Sequence, residues 1–184
     1  MIGEVRTRGI GGGGDEFLEL YNPTNGPIVL DTSWSVEGRS HTSKSYTVKW
    51  LGFGETIGPL GHYLLTGEGY VQSPSGDAQL LSGVTDAGSI RLVHSGATID
   101  SVCYYFSVTS FTALVTDKTF DCEGEPFNNG PHKDSGTGKS NTDVSFERLP
   151  ADFSGNCVDT GDSKDDFVIQ APSTPHNALG QASN

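Results

Sequence analysis

The sequence has no run of about 20 apolar residues, the length a membrane-spanning helix needs; its apolar stretches are only a few residues long. It is poor in positive charge, with 11 Lys and Arg against 23 Asp and Glu in 184 residues and a formal net charge of −12. A field of that sign repels phosphate backbones and anionic membrane surfaces. The few basic residues, Arg6 with Arg8, Lys44 with Lys49 and Lys133 with Lys139, form no continuous patch. Nucleic acid is not expected as a partner, and neither is membrane insertion. Cysteine is scarce as well. Cys103, Cys122 and Cys157 make no C-x-x-C and have no histidine at zinc-finger spacing, which argues against a structural zinc site. Met1-Ile2-Gly3 opens no apolar signal region, so a cytosolic protein is allowed; so is a secreted one made without its signal segment, with Met1 as an added start.

Catalytic patterns are missing too. The five histidines (41, 62, 94, 132 and 176) form neither H-x-H nor H-E-x-x-H, and no G-x-S-x-G nucleophile turn is present. No repeat of fixed period and no helix of ten or more residues is signalled.

What the chain does have is turn formers between short β-type runs. Its 25 Gly and 9 Pro break segments rich in Val, Ile, Thr, Tyr and Phe, a composition that suits strands and opposes helices. Alternation in Glu16 to Asn22 predicts a strand with Phe17, Glu19 and Tyr21 on one face and Leu18 and Leu20 on the other. Further strands are predicted at Gly3 to Arg6, Ile28 to Leu30, Ser33 to Val36, Ser45 to Leu51, Tyr63 to Thr66, Ser145 to Leu149 and Asp166 to Ile169. The clearest hairpin joins Ser89 to Val93 with Thr98 to Tyr104 through His94-Ser95-Gly96. Residues 107–144 read as a long irregular loop and 172–184 as a tail. The expected fold is a single all-β domain over 1–184, an immunoglobulin-like antiparallel sandwich. Its core anchors are Phe17, Leu20, Trp34, Leu64, Leu92, Phe146 and Phe167, and its recognition sites lie on loops and outer sheet faces.

Three segments in order resemble the lamin-tail domain family, found in nuclear lamins and in secreted bacterial proteins. They are Ile2-Gly3-Glu4-Val5 with Asp15 to Pro23; Ile28-Val29-Leu30, Trp34-Ser35-Val36 and Ile57 to Thr66; and Phe146 to Pro150 with Cys157 to Asp162, Asp166-Phe167 and Pro172 to Asn177. The resemblance implies an immunoglobulin-like sandwich without a catalytic constellation, acting as a binding or architectural module of an extracellular or cell-surface protein. The expected partner is then a protein or surface polymer, and the chain is expected to be a monomer.

Several residue patterns have both a chemical and a plain reading. Gly9-x-Gly11-x-x-Gly14 fits a dinucleotide fingerprint in letters only, because it opens the Glu16 strand and no helix follows; it reads as a flexible loop. Gly138-Lys139-Ser140 lacks the first glycine of a phosphate loop. Glu16 and Glu19, at i and i+3 of one strand, point to opposite faces and cannot flank one glycosidic bond. Trp34, Trp50, Tyr104 and Tyr105 are either core or a sugar-stacking platform.

Cys122 and Cys157 lie in turn-rich segments flanking the Phe146 strand and are expected to form a disulfide, worth about 3–4 kcal/mol in the chain-entropy model. Cys103, between Val102 and Tyr104, is expected to be a buried inert thiol. Asp159, Asp162, Asp165 and Asp166 form the densest acidic run. Asp159, Asp162 and Asp166 are candidate calcium ligands, although the spacing misses the EF-hand template, and a solvated acidic turn is the plainer reading. No other cofactor is implied. The alternative function is a calcium-dependent carbohydrate-binding module.

Overall fold

The computed structural model describes residues 1–133, 140–150 and 158–180. The strands are β1 (Ile2–Arg6), β2 (Phe17–Tyr21), β3 (Ile28–Leu30), β4 (Trp34–Ser40), β5 (Thr47–Leu51), β6 (Glu55–Ile57), β7 (His62–Thr66), β8 (Ala78–Gln79), β9 (Gly88–His94), β10 (Ala97–Tyr105), β11 (Phe127–Asn128), β12 (Ser145–Arg148) and β13 (Phe167–Gln170). Among the described residues, two α-helices interrupt them, α1 (Val108–Thr116) and the single turn α2 (Ser163–Asp166), with one 3-10 turn at Gly130–His132. Strands dominate and helix is minor, as the composition requires.

A six-stranded sheet in the order β13-β12-β1-β2-β7-β8 faces a five-stranded sheet in the order β11-β10-β9-β4-β5, and β3 pairs with β6 in a small ribbon. All pairings are antiparallel except β7 with β8 and β10 with β11. β1 lies between β2 and β12, so the two ends of the chain share one sheet. The interlayer core follows the period-2 rule. Leu18, Leu20, Tyr63, Leu65 and Phe146 from the first sheet meet Val36, Ile90, Leu92, Val102 and Tyr104 from the second. The β9–β10 hairpin turns through Ser95 and Gly96, both at positive φ, the geometry of a two-residue hairpin turn.

Of the expected core anchors, Leu20, Leu92, Phe146 and Phe167 lie between the sheets, and Trp34 packs against them partly exposed. Phe17 and Leu64 are fully buried on the opposite face of the six-stranded sheet. That face is not open. Tyr70 packs edge-on against Phe17, and segment 173–177 bonds across the strands, so the outer face has a covering layer of its own. The tail predicted from 172 onward is therefore docked chain as far as Asn177.

The irregular loop predicted for 107–144 also carries structure. Ser107 caps α1: its side chain accepts from the Ser110 N–H while the Ser110 hydroxyl accepts from the Ser107 N–H. Leu114 and Phe120 then pack with Cys103 in a second, small core under β10. The helix is nine residues long and buries only Ser110 and Leu114, too short an apolar pattern to stand out in the sequence.

The cysteine pairing differs from expectation. Cys122 is bonded to Cys103, whose Cα lies 5.4 Å away, and so is not available to Cys157, which falls outside the described residues. Cys103 is accordingly a structural half-cystine and not a free thiol. Its place in a strand facing the small core lets the loop sulfur reach it.

Candidate functional site

The densest polar chemistry sits on the covered face of the six-stranded sheet. Register aligns Glu147 of β12 with Glu4 of β1, and Glu4 with Glu19 of β2, giving a row of three fully buried carboxyl groups across adjacent strands. Each meets donors from the covering layer. Glu4 accepts from the Thr174 N–H at 3.1 Å and from the Ser145 hydroxyl, and Glu147 accepts from the Thr174 hydroxyl at 3.2 Å. Burial, followed by the neighbouring charges of Glu19 and Glu147, pushes the Glu4 carboxyl well above its usual range.

Glu19 ends the row between two imidazoles. His62 stands on β7, diagonal to Glu19 in the pairing of Glu19 with Leu64 and Tyr21 with His62, and its Nδ1 lies 2.6 Å from Glu19 Oε1. His176 arrives from the covering segment, its backbone N–H donating to Oε2 at 2.5 Å and its Nδ1 lying 3.3 Å from the same oxygen. The two rings are 4.7 Å apart. Burial alone would raise the Glu19 carboxyl, but bonds from His176 and His62 outweigh it and hold the group below its ordinary value. Little in the sequence points to this cluster, since Glu19 and His176 are 157 residues apart. The available signal was a glutamate flanked by Phe17 and Tyr21 on one face of an otherwise apolar strand.

A second polar feature is a cleft of about 550 Å³ lined by Gly13, Gly14, Glu16, Gly67, Glu68 and residues 79–83. Glu16 sits at its wall and accepts from the Val84 N–H at 2.8 Å, while Lys49 donates to the Gly83 carbonyl at 2.6 Å. A Cβ at Gly83 would stand 2.7 Å from Glu16 Oε1, so a larger residue there would push the carboxyl aside. Burial pushes Glu16 up to about 7 against the pull of Val84 and Lys49. Glu16 and Glu19 do point apart, as alternation requires, and share no site.

The third feature is apolar and exposed. Val29 of β3, Leu51 of β5 and Phe53 stand out from the surface, Phe53 at 88% exposure. Gly52 and Gly54, on either side of Phe53, bond to the carbonyls of Trp34 and Leu30, fixing the loop against the β3–β6 ribbon. Beside it a cavity of about 210 Å³ opens between the sheets, lined by Leu20, Ile28, Leu30, Trp34, Ile57 and Leu92. Trp34 stacks on His94 at 4.2 Å.

The other candidates have structural duties. The Gly9 to Gly14 loop is a tight turn bridging Gly9 and Gly12 and folding around Asp15, whose carboxylate accepts from the Gly11 N–H at 2.8 Å. A side chain at Gly9 would overlap that carboxylate. Of Gly138-Lys139-Ser140, only Ser140 is among the described residues. Trp50 and Tyr104 are core; Tyr105 packs edge-on against Phe111 of α1.

Among the candidate calcium ligands, Asp166 is fully buried, bonded to Thr160 and paired with Arg148 at 3.2 Å. The Asp162 side chain caps α2 by accepting from the Lys164 N–H. Asp159 is exposed, with one oxygen on the Gly161 N–H and 3.8 Å from Arg148. Asp165 is exposed on α2. Among the described residues, the only group of His, Cys, Asp or Glu donors close enough to share one ion is Glu19, His62 and His176.

No protein-family model matches this chain, and no curated protein matches it.

Proposed function

We propose that this chain is a non-catalytic binding or architectural module of a secreted or cell-surface protein, of the lamin-tail kind, and that it recognises a protein or surface polymer through the apolar end of the sandwich. The observation that carries this reading is the exposed set of Val29 on the β3–β6 ribbon, Leu51 on β5 and Phe53 in the loop that the Gly52 and Gly54 N–H groups hold in place. Exposed aromatic and aliphatic side chains on a fixed backbone are what a binding surface offers, because little conformational freedom is lost on contact. The Cys103–Cys122 disulfide supports an oxidising compartment. A net charge of −12 supports a partner other than nucleic acid.

The buried ionisable groups support the same reading by what they already do. Arg6 pairs with Asp15 and Asp143, and Arg148 with Asp100 and Asp166, fastening segments distant in sequence. The calcium-dependent carbohydrate reading has less to rest on, since Asp162 and Asp166 use their oxygens in a helix cap and an ion pair. Depletion of the chain from solution by insoluble cellulose, chitin and peptidoglycan, and by immobilised cell-surface protein extracts, tests the proposal. One of these surfaces should retain the wild type, and Phe53→Ser should weaken retention about tenfold or more without changing the melting temperature. Equal retention of wild type and variant on every surface would refute it.

A further inference from the structure

We propose that Glu19, His62 and His176 form a binding site for one divalent transition-metal ion, with zinc the best match. This inference is independent of the binding surface proposed above. Two imidazoles and one carboxylate are a donor set that suits zinc and its neighbours, whereas calcium and magnesium take shells made of oxygen alone. The ligand atoms of the three residues already lie within 4.8 Å of one another. For ligands about 2.0–2.1 Å from a tetrahedral ion, neighbouring donors are about 3.3 Å apart. His176 Nδ1 and Glu19 Oε2 have that separation, 3.3 Å. The 2.6 Å between His62 Nδ1 and Glu19 Oε1 is a hydrogen bond, which opens slightly when the ion replaces the proton between the two atoms.

Three further observations bear on the site. Its ligands stand on separate, well-held pieces of chain. Glu19 lies in the middle of a six-stranded sheet, His62 on the adjacent strand, and His176 is fixed by its own N–H on the glutamate. Preorganisation of that kind lowers the cost of assembling a coordination shell. Next, Glu147 continues the buried row beyond Glu4, and its negative charge favours a divalent cation nearby. Finally, His62 is partly exposed while Glu19 and His176 are buried, so the cluster meets solvent on the His62 side.

The test is titration of the chelator-stripped full chain with zinc chloride by calorimetry, with cobalt(II) absorption as a reading of coordination geometry. The expected result is one equivalent bound, a rise in melting temperature, and the intense visible bands of four-coordinate cobalt. His62→Gln and His176→Gln should each weaken zinc binding about 100-fold or more. His41→Gln with His94→Gln should leave it unchanged. If His176→Gln fails to fold, His62→Gln, at a partly exposed position, carries the test alone. Substoichiometric zinc uptake by the wild type, or uptake within about threefold of wild type in folded His62→Gln, would overturn the proposal.

Discussion

Arg148 and Asp100 meet at 2.7 Å with both side chains 1% exposed, one from each sheet, so the sandwich is bolted across its interior by an ion pair. Arg148 also donates to the Ile2 and Val158 carbonyls, pairs with Asp166, and lies over the Phe167 ring at 4.7 Å. Asp100 in turn accepts from the Ile2 N–H at 2.5 Å. Strands β1, β10, β12 and β13 therefore converge on one guanidinium.

Removing that guanidinium leaves two carboxylates buried without their cation. Arg148→Met should cost about 3–5 kcal/mol in urea denaturation. Arg148→Lys should recover only part of this, because a single ammonium cannot reproduce the planar fork that reaches both acids and both carbonyls.

The Cys103–Cys122 bond closes a loop of 19 residues that contains α1. In the chain-entropy model a loop of that length is worth about 3 kcal/mol. Reductant, or the Cys103→Ala, Cys122→Ala pair, should lower stability by about that amount in a thermal melt. Non-reducing peptide mapping should recover Cys103 linked to Cys122; a Cys122–Cys157 peptide would contradict the pairing.

Stability carried by two carboxyl groups should fall as pH rises from about 4.5 to about 7. Burial raises both Glu16 and Glu123 to about 7, so between 4.5 and about 7 the folded chain holds protons that the unfolded chain has released. Their favourable contribution is complete below the unfolded value and is lost as pH climbs through the folded one. For Glu16 the loss reaches about 3 kcal/mol at most. His132, which burial lowers from 6.5 to about 4, acts the opposite way between those values and offsets part of the fall, so the Glu16 contribution is read as the difference between wild type and a Glu16→Gln variant. Melts of wild type and Glu16→Gln across this range should show a smaller slope in the variant; parallel curves would contradict the assignment.

Much of the sandwich was legible in local pattern. Alternation in Phe17 to Tyr21 put Leu18 and Leu20 on one face, which is the face that lines the interlayer core, and the hairpin at Ser95-Gly96 follows from turn chemistry. What stayed hidden depends on distant pairing. Strand register, which no single segment encodes, lines up Glu147, Glu4 and Glu19. His176 reaches Glu19 only because residues 173–177 fold over a face that alternation marks as outward. The short helix α1 was masked by its polar surroundings, and with it the reason for Cys122 to meet Cys103.

The central claim is that the chain binds without transforming its partner. Prolonged incubation with surface polysaccharides and peptides, followed by chromatography for soluble products, tests that most directly. The account predicts no release above buffer for wild type or Glu16→Gln. Product that accumulates in proportion to wild-type protein, and disappears in a folded Glu16→Gln, would contradict it and make the 550 Å³ cleft beside Glu16 an active site.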